Sequence, residues 1–280
     1  MRIRDKRVVN TSLLRINKDC LDNAMPPTNS KNDDALLEHA AGLIRGTTNA
    51  IAVTGAGISV ESGIPDFRSA HGLWARYPPD QFATMDAFLR DPDKVWEMWY
   101  ELAENLQGVK PNPGHYALAE LEKMGHIKAI VTQNIDALHQ HAGSKTVIEY
   151  HGNTDQIACT ACFRHRKMDL SHRALGAPRC ECGGVMKPDV VLFGEVIPEY
   201  ALRTSDMLAR GCDALIVVGT SAQVYPAAGL PFLAKESGAA VIECNTEPTN
   251  FTNVITDVFL QGPAGETLPK LVERVKSVTD

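Results

Sequence analysis

The stretch AIAVTGAGIS, residues 50–59, decides the fold of this chain. Its first four residues form an apolar run of the length of one buried strand, and Thr54 and Gly55 then end the run in a glycine turn. Glycine at positions 55 and 57 lets backbone amides approach a phosphate closely. The alternative is a plain strand-to-turn connection, since Val60 stands where the usual dinucleotide fingerprint has its third glycine. This segment therefore predicts a strand of an open α/β sheet, and other residues must decide whether a nucleotide binds there.

Six further apolar runs, each bounded by turn residues, follow at 127–131, 146–150, 190–193, 214–218, 240–244 and 258–260. Helical patterns separate most of them, at 113–124, 198–209, 227–237 and 266–278, after a first helix capped by Asp33 or Asp34. Short apolar strands that alternate with helices are typical of a parallel sheet covered on both faces. The sequence therefore predicts the α/β fold class.

Two segments interrupt this alternation. Residues 69–109 hold all three tryptophans and a helical pattern, and residues 156–187 hold four cysteines and few core residues. We predict that these two insertions pack together as a smaller second module. Residues 1–34 contain few apolar anchors, so we expect a flexible N-terminal arm before a catalytic core of residues 35–280.

Composition excludes several classes of protein. The chain has 28 Lys and Arg against 34 Asp and Glu, a net charge of -6, and so lacks the overall positive field that holds nucleic acid or anionic lipid. It has no apolar stretch of about 18 residues, the length that crosses a bilayer, and no secretory-type apolar run near its start. We therefore expect a cytoplasmic protein that has neither nucleic acid nor a membrane as its partner.

Polar residues follow the predicted strands, and the carboxyl ends of parallel strands meet at one edge of a sheet. In chain order these segments are 54–59, 132–136, 151–152, 194–195, 219–221 and Asn245. His151 is the only histidine among them, and a neutral imidazole there can act as a general base, although a structural histidine at a turn is the alternative. Asn134 and Asp136 suit the recognition of ribose hydroxyls and an amide group, or else form an Asx turn and a helix cap. We expect one ligand site at this edge.

The cysteine cluster comprises Cys159, Cys162, Cys180 and Cys182. Two close pairs at this separation predict a structural zinc site with four sulfur ligands. The second pair is one residue tighter than the usual Cys-x-x-Cys, so His165 and His172 stay open as alternative fourth ligands. Residues 159–187 carry six Lys and Arg against two Asp and Glu, which leaves open a non-catalytic zinc-containing module that binds nucleic acid.

Taken together, the motifs resemble those of the sirtuin (Sir2-like) family in order and spacing, from about residue 36 to the C-terminus. They are GAGIS at 55–59, GIPDFR at 63–68, TQNID at 132–136, HG at 151–152, the paired cysteines, KPDVVLFGE at 187–195, GTS at 219–221, VYP at 224–226 and LQGPA at 260–264. The resemblance implies a Rossmann-like domain of about 35–68, 110–155 and 188–280, with a helical module of about 69–109 and a zinc module of about 156–187. NAD and an acyl-lysine protein or peptide would meet in the cleft between them.

The resemblance also implies a reaction in which NAD is consumed. The acyl oxygen attacks C1′ of the nicotinamide ribose, nicotinamide leaves, and the acyl group passes from lysine to ADP-ribose. The implied activity is that of an NAD-dependent protein-lysine deacetylase, with protein mono-ADP-ribosylation as the alternative enzyme activity. His151 would be the general base, and Asn134 and Asp136 would complete the catalytic set.

Further roles follow from the same resemblance. The implied NAD contacts are Gly55, Ala56, Gly57, Ser59, Asp66, Phe67, Arg68, Gln133, Asn134, Ile135, Asp136, Gly219, Thr220, Ser221, Asn245 and Ala264. The substrate peptide would add as a strand and contact Val191, Phe193, Gly194 and Glu195. A desuccinylase-like subset has Tyr and Arg where this chain has Trp99 and Leu102, and neither of these pairs with a carboxylate, which favours acetyl or longer apolar acyl groups over succinyl.

Overall fold

The structure, a computed structural model, describes residues 30–67 and 72–277. Its helices are α1 (Ser30–Arg45), α2 (Leu73–Arg76), α3 (Pro79–Phe82), α4 (Met85–Arg90), α5 (Pro92–Leu106), α6 (Pro113–Lys123), α7 (Leu138–His141), α8 (Glu199–Gly211), α9 (Leu230–Glu236) and α10 (Ala264–Lys276). Its strands are β1 (Ala50–Thr54), β2 (Ile127–Thr132), β3 (Val147–Glu149), β4 (Gly152–Cys159), β5 (His165–Lys167), β6 (Met186–Val190), β7 (Ala214–Val218), β8 (Ala240–Asn245) and β9 (Val258–Gln261). Short 3-10 helices cover Ala56–Ser62, Leu170–Leu175 and Ala227–Gly229. None of the described helices is both long and apolar enough to cross a membrane.

Six strands form one parallel sheet in the order β3-β2-β1-β7-β8-β9. Counted along the chain within this sheet, the order is 3-2-1-4-5-6, which is that of the doubly wound dinucleotide-binding fold. The direction of winding reverses between β1 and β7, which pair in parallel from Ala50 and Ala214 to Thr54 and Val218. The predicted α/β fold is confirmed, and the reversal opens a crevice at the carboxyl ends of these two strands.

Both faces of the parallel sheet are buried, which explains its unbroken apolar runs. Ala50 and Ala52 of β1 face a core that α1, α6 and α10 cover. Ile51 and Val53 face a second core, which α8 and α9 cover. Asn112 caps α6, because its Oδ1 accepts a hydrogen bond from the Gly114 amide at 2.9 Å.

A smaller module lies beside the sheet and is built from α2–α5 and a three-stranded antiparallel sheet in the order β5-β4-β6. The two predicted insertions do pack together, since one apolar core contains Trp96 and Tyr100 of α5 with Met186 of β6. The Trp96 Nε1 donates to the Met186 carbonyl at 2.9 Å, and the Ala177 amide donates to the Asp93 carboxylate at 2.7 Å.

The structure differs from the expected segment boundaries in three places. The run 190–193 is not a strand of the parallel sheet: only Val190 lies in a strand, β6, and the Phe193 amide donates to the Ala83 carbonyl of the small module at 2.8 Å. The small sheet begins at Gly152, four residues before the expected start of the zinc module. Helix α1 begins at Ser30, so the last five residues of the expected arm, 30–34, are helical, and Asp34 pairs with Arg274 of α10. Residues 1–29 lie outside the described part of the chain.

Candidate active site

The carboxyl ends of the parallel strands open into a cleft of about 1970 Å³ that the small module closes from the other side. The β1 and β7 turns form its floor, and Trp74 and Trp99 of the helical segment together with residues 190–195 form the opposite wall. A smaller cavity of about 40 Å³ adjoins it and shares Phe67 and Asn134 with it. The cleft therefore has room for a ligand as large as a dinucleotide together with a peptide.

Glycines bring the turns after β1 and β7 into direct backbone contact. The Gly57 amide donates to the Gly219 carbonyl at 2.8 Å, and the Gly55 amide donates to the Val218 carbonyl at 3.0 Å. A Cβ on Gly57 would lie 2.7 Å from the Gly219 Cα. Because no side chain fits between the turns, the floor of the cleft is bare backbone, which is the surface that a phosphate group needs in order to approach main-chain amides.

We expect Gly219→Ala to destabilise the fold by about 2–4 kcal/mol. Gly219 has φ 59, and its Cβ would lie 2.3 Å from the Ile58 amide nitrogen, so a left-handed backbone and a steric clash add together. Gly63→Ala is the matched control: its φ is 88 but no atom lies within 4 Å of the new Cβ, so we expect a loss of only about 1 kcal/mol. Urea unfolding measures both changes, and equal losses would contradict the contact between the turns.

His151 lies two residues after β3, at the rim of the cleft. Its Nδ1 is 3.2 Å from the Gln133 carbonyl oxygen, which can only accept, so the proton of the neutral ring lies on Nδ1 and the Nε2 lone pair is left to take a proton. Burial lowers the pKa of His151 below 6.5, and the hydrogen bond to the Gln133 carbonyl opposes this shift. The imidazole is therefore neutral near pH 7 and can act as a base.

Asp136, Ser59 and Asn134 form a hydrogen-bonded group at the junction of the two cavities. The Ser59 Oγ donates to Asp136 Oδ2 at 2.7 Å and accepts from Asn134 Nδ2 at 3.1 Å. The other carboxylate oxygen of Asp136 accepts from the Leu138 amide at 3.0 Å, which closes an Asx turn before α7, whose N-cap position is Ala137. One side chain thus serves the turn and the site together.

Two threonines at predicted strand ends, and two histidines that the sequence did not single out, lie behind this group. The Thr132 Oγ1 accepts from the Asn134 amide at 3.1 Å and from the Thr54 Oγ1 at 2.9 Å, and Thr54 in turn lies 2.9 Å from His139 Nε2. His115 Nε2 lies 3.5 Å from the Ser59 Oγ. Burial lowers the pKa of His115 to about 4 and that of His139 to about 3, so both rings are neutral at pH 7.

The structure brings the described site residues of the sequence analysis into these two cavities. Those that line the large cleft are Gly55, Ala56, Gly57, Asp66, Phe67, Gln133, Asn134, Ile135, His151, Val191, Phe193, Gly194, Glu195, Gly219, Thr220, Ser221, Asn245 and Ala264. Ser59 and Asp136 line the adjoining cavity. Arg68 lies outside the described residues. The four cysteines line neither cavity.

The segment 191–195 is held from three directions. The Val191 amide donates to the His151 carbonyl at 2.9 Å, and Phe193 exchanges backbone hydrogen bonds with Ala83 and Met85. Glu195 Oε2 accepts from the Leu192 amide at 2.8 Å and from the Lys187 Nζ at 3.1 Å, and Lys187 also donates to the Val190 carbonyl at 2.6 Å. Through these contacts the Glu195 carboxylate stabilises the conformation of residues 191–195.

The four cysteines converge on one point outside the cleft. Their Sγ atoms all lie within 4.8 Å of one another, with 3.5 Å between Cys159 and Cys182 and 3.7 Å between Cys162 and Cys180. Tetrahedral zinc with Zn–S bonds of about 2.3 Å requires S–S separations of about 3.8 Å. The backbone amides of Cys162 and Ala161 lower the pKa of the Cys159 thiol to about 6, which favours the thiolate. The four cysteines are positioned to bind one structural zinc ion.

Of the two histidines considered as fourth ligands, His165 plays no part in this cluster. His165 Nδ1 contacts Asp189 at 3.1 Å instead, and the His172 side chain lies outside the described part of the chain. The local positive charge is also partly neutralised, because Arg164 pairs with Glu181 and Arg173 pairs with Glu104 of α5. The pairing of these arginines with acidic side chains disfavours a nucleic-acid-binding module.

Comparison with known proteins places this arrangement in context. A model of the Sir2 family matches residues 55–226. An NAD-dependent protein deacylase of Pyrococcus furiosus is 49% identical over 250 residues, which cover 87% of this chain and 100% of that protein. A solved Sir2 homologue in complex with NAD is similar with a TM-score of 0.81 and 41% identity, covering 85% of this chain and 93% of that one. A Sir2 protein bound to a myristoylated histone peptide has a TM-score of 0.74 and 42% identity, covering 87% and 97% of the two chains.

Proposed function

This chain belongs to the Sir2 family, and from that premise we propose that it is an NAD-dependent protein-lysine deacetylase. It transfers the acyl group from lysine to ADP-ribose and releases nicotinamide and free lysine. The observation that carries the proposal is the position of His151: a neutral imidazole with a free Nε2 lies at the edge of a cleft whose floor is a bare glycine turn.

His151 is the general base of this reaction. The Gln133 carbonyl fixes the Nδ1–H tautomer, so Nε2 accepts the proton of a ribose hydroxyl, and that hydroxyl then becomes the nucleophile that takes over the acyl group. The contact between the ring of Tyr150 and that of His151, with centroids 5.5 Å apart, fixes the orientation of the imidazole. A base of this kind contributes roughly 100- to 10,000-fold to the rate.

Other residues bind NAD and shield its reactive carbon. The bare backbone of the turns at Gly57 and Gly219 holds the phosphates, and NAD supplies the C1′ carbon from which nicotinamide leaves. Asn134 and Asp136, fixed through Ser59, orient the ribose and the carboxamide of nicotinamide. Phe67, whose ring lies 5.1 Å from that of Trp74, excludes water from the reacting carbon.

The substrate peptide adds as a strand beside residues 191–195, a mode in which backbone hydrogen bonds carry most of the affinity. That segment is rigid before the peptide arrives, since Lys187 and Glu195 brace it from within. The acyl group enters between Phe67, Val191 and Phe193, all of which line the cleft. A braced segment loses little conformational entropy when it pairs with a peptide.

We expect Lys187→Met to raise the KM for the peptide about 3- to 10-fold, with an unchanged KM for NAD, because the Val190 carbonyl and the Glu195 carboxylate lose their common donor. Lys187→Arg keeps a cation at that position and is the control, with a smaller increase. Steady-state kinetics with each substrate varied in turn measures the KM for the peptide and the KM for NAD separately. An equal rise in both KM values would contradict a role confined to the peptide segment.

The acyl pocket suits uncharged acyl groups. Trp99 lines the large cleft and Leu102 the adjoining cavity, and neither can form an ion pair with a carboxylate. A Sir2 protein that is 42% identical has been solved with a myristoylated histone peptide, which supports apolar acyl groups, including long ones, as substrates of this chain. We therefore favour acetyl-lysine and longer apolar acyl-lysine over succinyl-lysine as the substrates.

The zinc module has a structural role in this scheme, and its basic residues are not a nucleic-acid site. We assign residues of about 35–67, 110–151 and 191–277 to the NAD-binding domain, and residues of about 72–109 and 152–190 to the module that closes the cleft. A site of four thiolates also favours a reducing compartment, which is the basis for a cytoplasmic location.

One experiment separates deacetylation from ADP-ribosyl transfer, which begins with the same loss of nicotinamide. The protein is incubated with NAD labelled in its ADP-ribose half and with peptides that carry acetyl-lysine or succinyl-lysine. We expect free-lysine peptide from the acetyl substrate alone, with the label in small soluble products. Label attached to protein while acetyl-lysine persists would instead assign the ADP-ribosyltransferase activity.

A further inference from the structure

A carboxylate lies inside the core beneath the cleft. Glu243 of β8 is fully buried, and its neighbours Ile242 and Cys244 belong to the core on one face of the sheet while Val241 belongs to the core on the other. Because side chains alternate along a strand, Glu243 points to the same face as Val241. Buried carboxylates occur where hydrogen bonds compensate for lost hydration, so its partners indicate its purpose.

Those partners are three threonine hydroxyls from the loop that follows β8. Thr249 Oγ1 donates to one oxygen of the carboxylate at 2.5 Å, and Thr252 Oγ1 and Thr256 Oγ1 each donate to the other at 2.8 Å. Two of the hydroxyls also accept from the backbone, Thr249 Oγ1 from the Phe251 amide at 3.1 Å and Thr252 Oγ1 from the Thr249 amide at 2.8 Å. One carboxylate thus fixes the conformation of residues 249–256.

The opposite side of this loop is a wall of the cleft. Asn250 and Asn253 alternate with the threonines, are exposed, and line the cleft beside Asn245 at the end of β8. Asn245 Nδ2 donates to the Thr220 carbonyl at 2.9 Å, which joins this wall to the turn after β7. Residues 249–256 therefore connect the buried Glu243 carboxylate to the Asn250 and Asn253 side chains on the cleft wall.

We propose that Glu243 is a positioning residue for NAD, which acts by presenting Asn250 and Asn253 to the adenosine half of the dinucleotide. His151 and Asn134 lie on the β2 and β3 side of the β1–β7 crevice, and the 249–256 loop lies on the β8 side. A dinucleotide with its nicotinamide ribose at His151 and its phosphates on the glycine turns extends its adenosine toward that loop. The inference rests on the proposed function, because it assumes that NAD occupies the cleft in this direction.

The test uses Thr256, whose hydroxyl bonds to Glu243. Thr256→Val removes the hydroxyl and keeps the shape, and Thr256→Ser keeps the hydroxyl. Calorimetric titration with ADP-ribose and with NAD should show a Kd about 3- to 10-fold higher for the valine variant and close to wild type for the serine variant. The KM for NAD should rise with the Kd, while the KM for an acetyl-lysine peptide stays unchanged.

Two further variants separate positioning from simple stability. Asn250→Ala and Asn253→Ala, at exposed positions, should weaken ADP-ribose binding without lowering the melting temperature. The inference is overturned if Thr256→Val lowers the melting temperature but binds ADP-ribose as tightly as the wild type, or if both asparagine variants bind it normally. A wild-type protein that binds neither ADP-ribose nor NAD would overturn the proposed function as well, whereas a wild type that binds both and deacetylates would leave that function standing.

Discussion

Replacing His151 by alanine is expected to lower the deacetylation rate about 100- to 10,000-fold at pH 7.5. The loss follows from the geometry of the ring, because the Gln133 carbonyl holds the proton on Nδ1 and no other histidine lines the cleft among the described residues. Release of free-lysine peptide, followed by mass spectrometry, measures the rate. Binding of ADP-ribose should stay within about threefold of wild type, since the phosphates lie on the turns at Gly57 and Gly219.

The pH dependence of the wild-type deacetylation rate tests the same role of His151. Burial lowers the pKa of His151 below 6.5, and a base works only in its neutral form, so the rate should stay high as the pH falls to 6.5 and decline only below that value. His151→Ala should lose this acid limb. If the alanine variant kept most of its activity, or if the acid limb of the wild type lay above pH 7, His151 would not be the base.

Replacing Cys162 by serine is expected to reduce bound zinc from one ion per chain to nearly none, and with it the folded state of the small module. A four-thiolate zinc site contributes about 10 kcal/mol or more to the folding of a small module, and one missing thiolate opens the shell. Strand β4 carries Cys159 and pairs with β6, and the other ends of these two strands lie next to His151 and residues 191–195, so peptide turnover should fall as well. Elemental analysis and thermal unfolding measure the change.

Cys212→Ser is the control for this experiment. Cys212 is buried, its Sγ bonds to the Ala209 carbonyl at 3.3 Å, and it lies outside the four-sulfur cluster. We expect this variant to keep its zinc and its activity. Full zinc content in Cys162→Ser, or an unchanged melting temperature after complete chelation, would refute the structural zinc site.

The sequence predicted the parallel sheet well because burial on both faces leaves a local pattern, the short unbroken apolar run. The same pattern was misleading at 190–193. An apolar run that pairs with Ala83 and Met85 of the helical segment has the same composition as one that lies in a parallel sheet, and only tertiary contacts distinguish the two.

The sequence predicted the site residues that lie at strand ends, because polar side chains interrupt the apolar pattern there. It did not predict the residues within helices and strands that hydrogen-bond to them. His139 lies within α7, and its distance of 2.9 Å from Thr54 at the end of β1 depends on the packing of segments far apart in the sequence. Glu243 lay within an apolar run and so counted as part of a core strand. The only local sign of its role is the spacing of threonines at 249, 252 and 256.

The central claim is that this chain couples the cleavage of NAD to the removal of an acyl group from lysine. It is tested most directly by counting products in one reaction of the wild-type protein with NAD and an acetyl-lysine peptide, through mass spectrometry of nicotinamide, free-lysine peptide and acetylated ADP-ribose. The account predicts equal amounts of the three at every time point. Free-lysine peptide formed without nicotinamide, or nicotinamide formed at the same rate without any peptide, would contradict it.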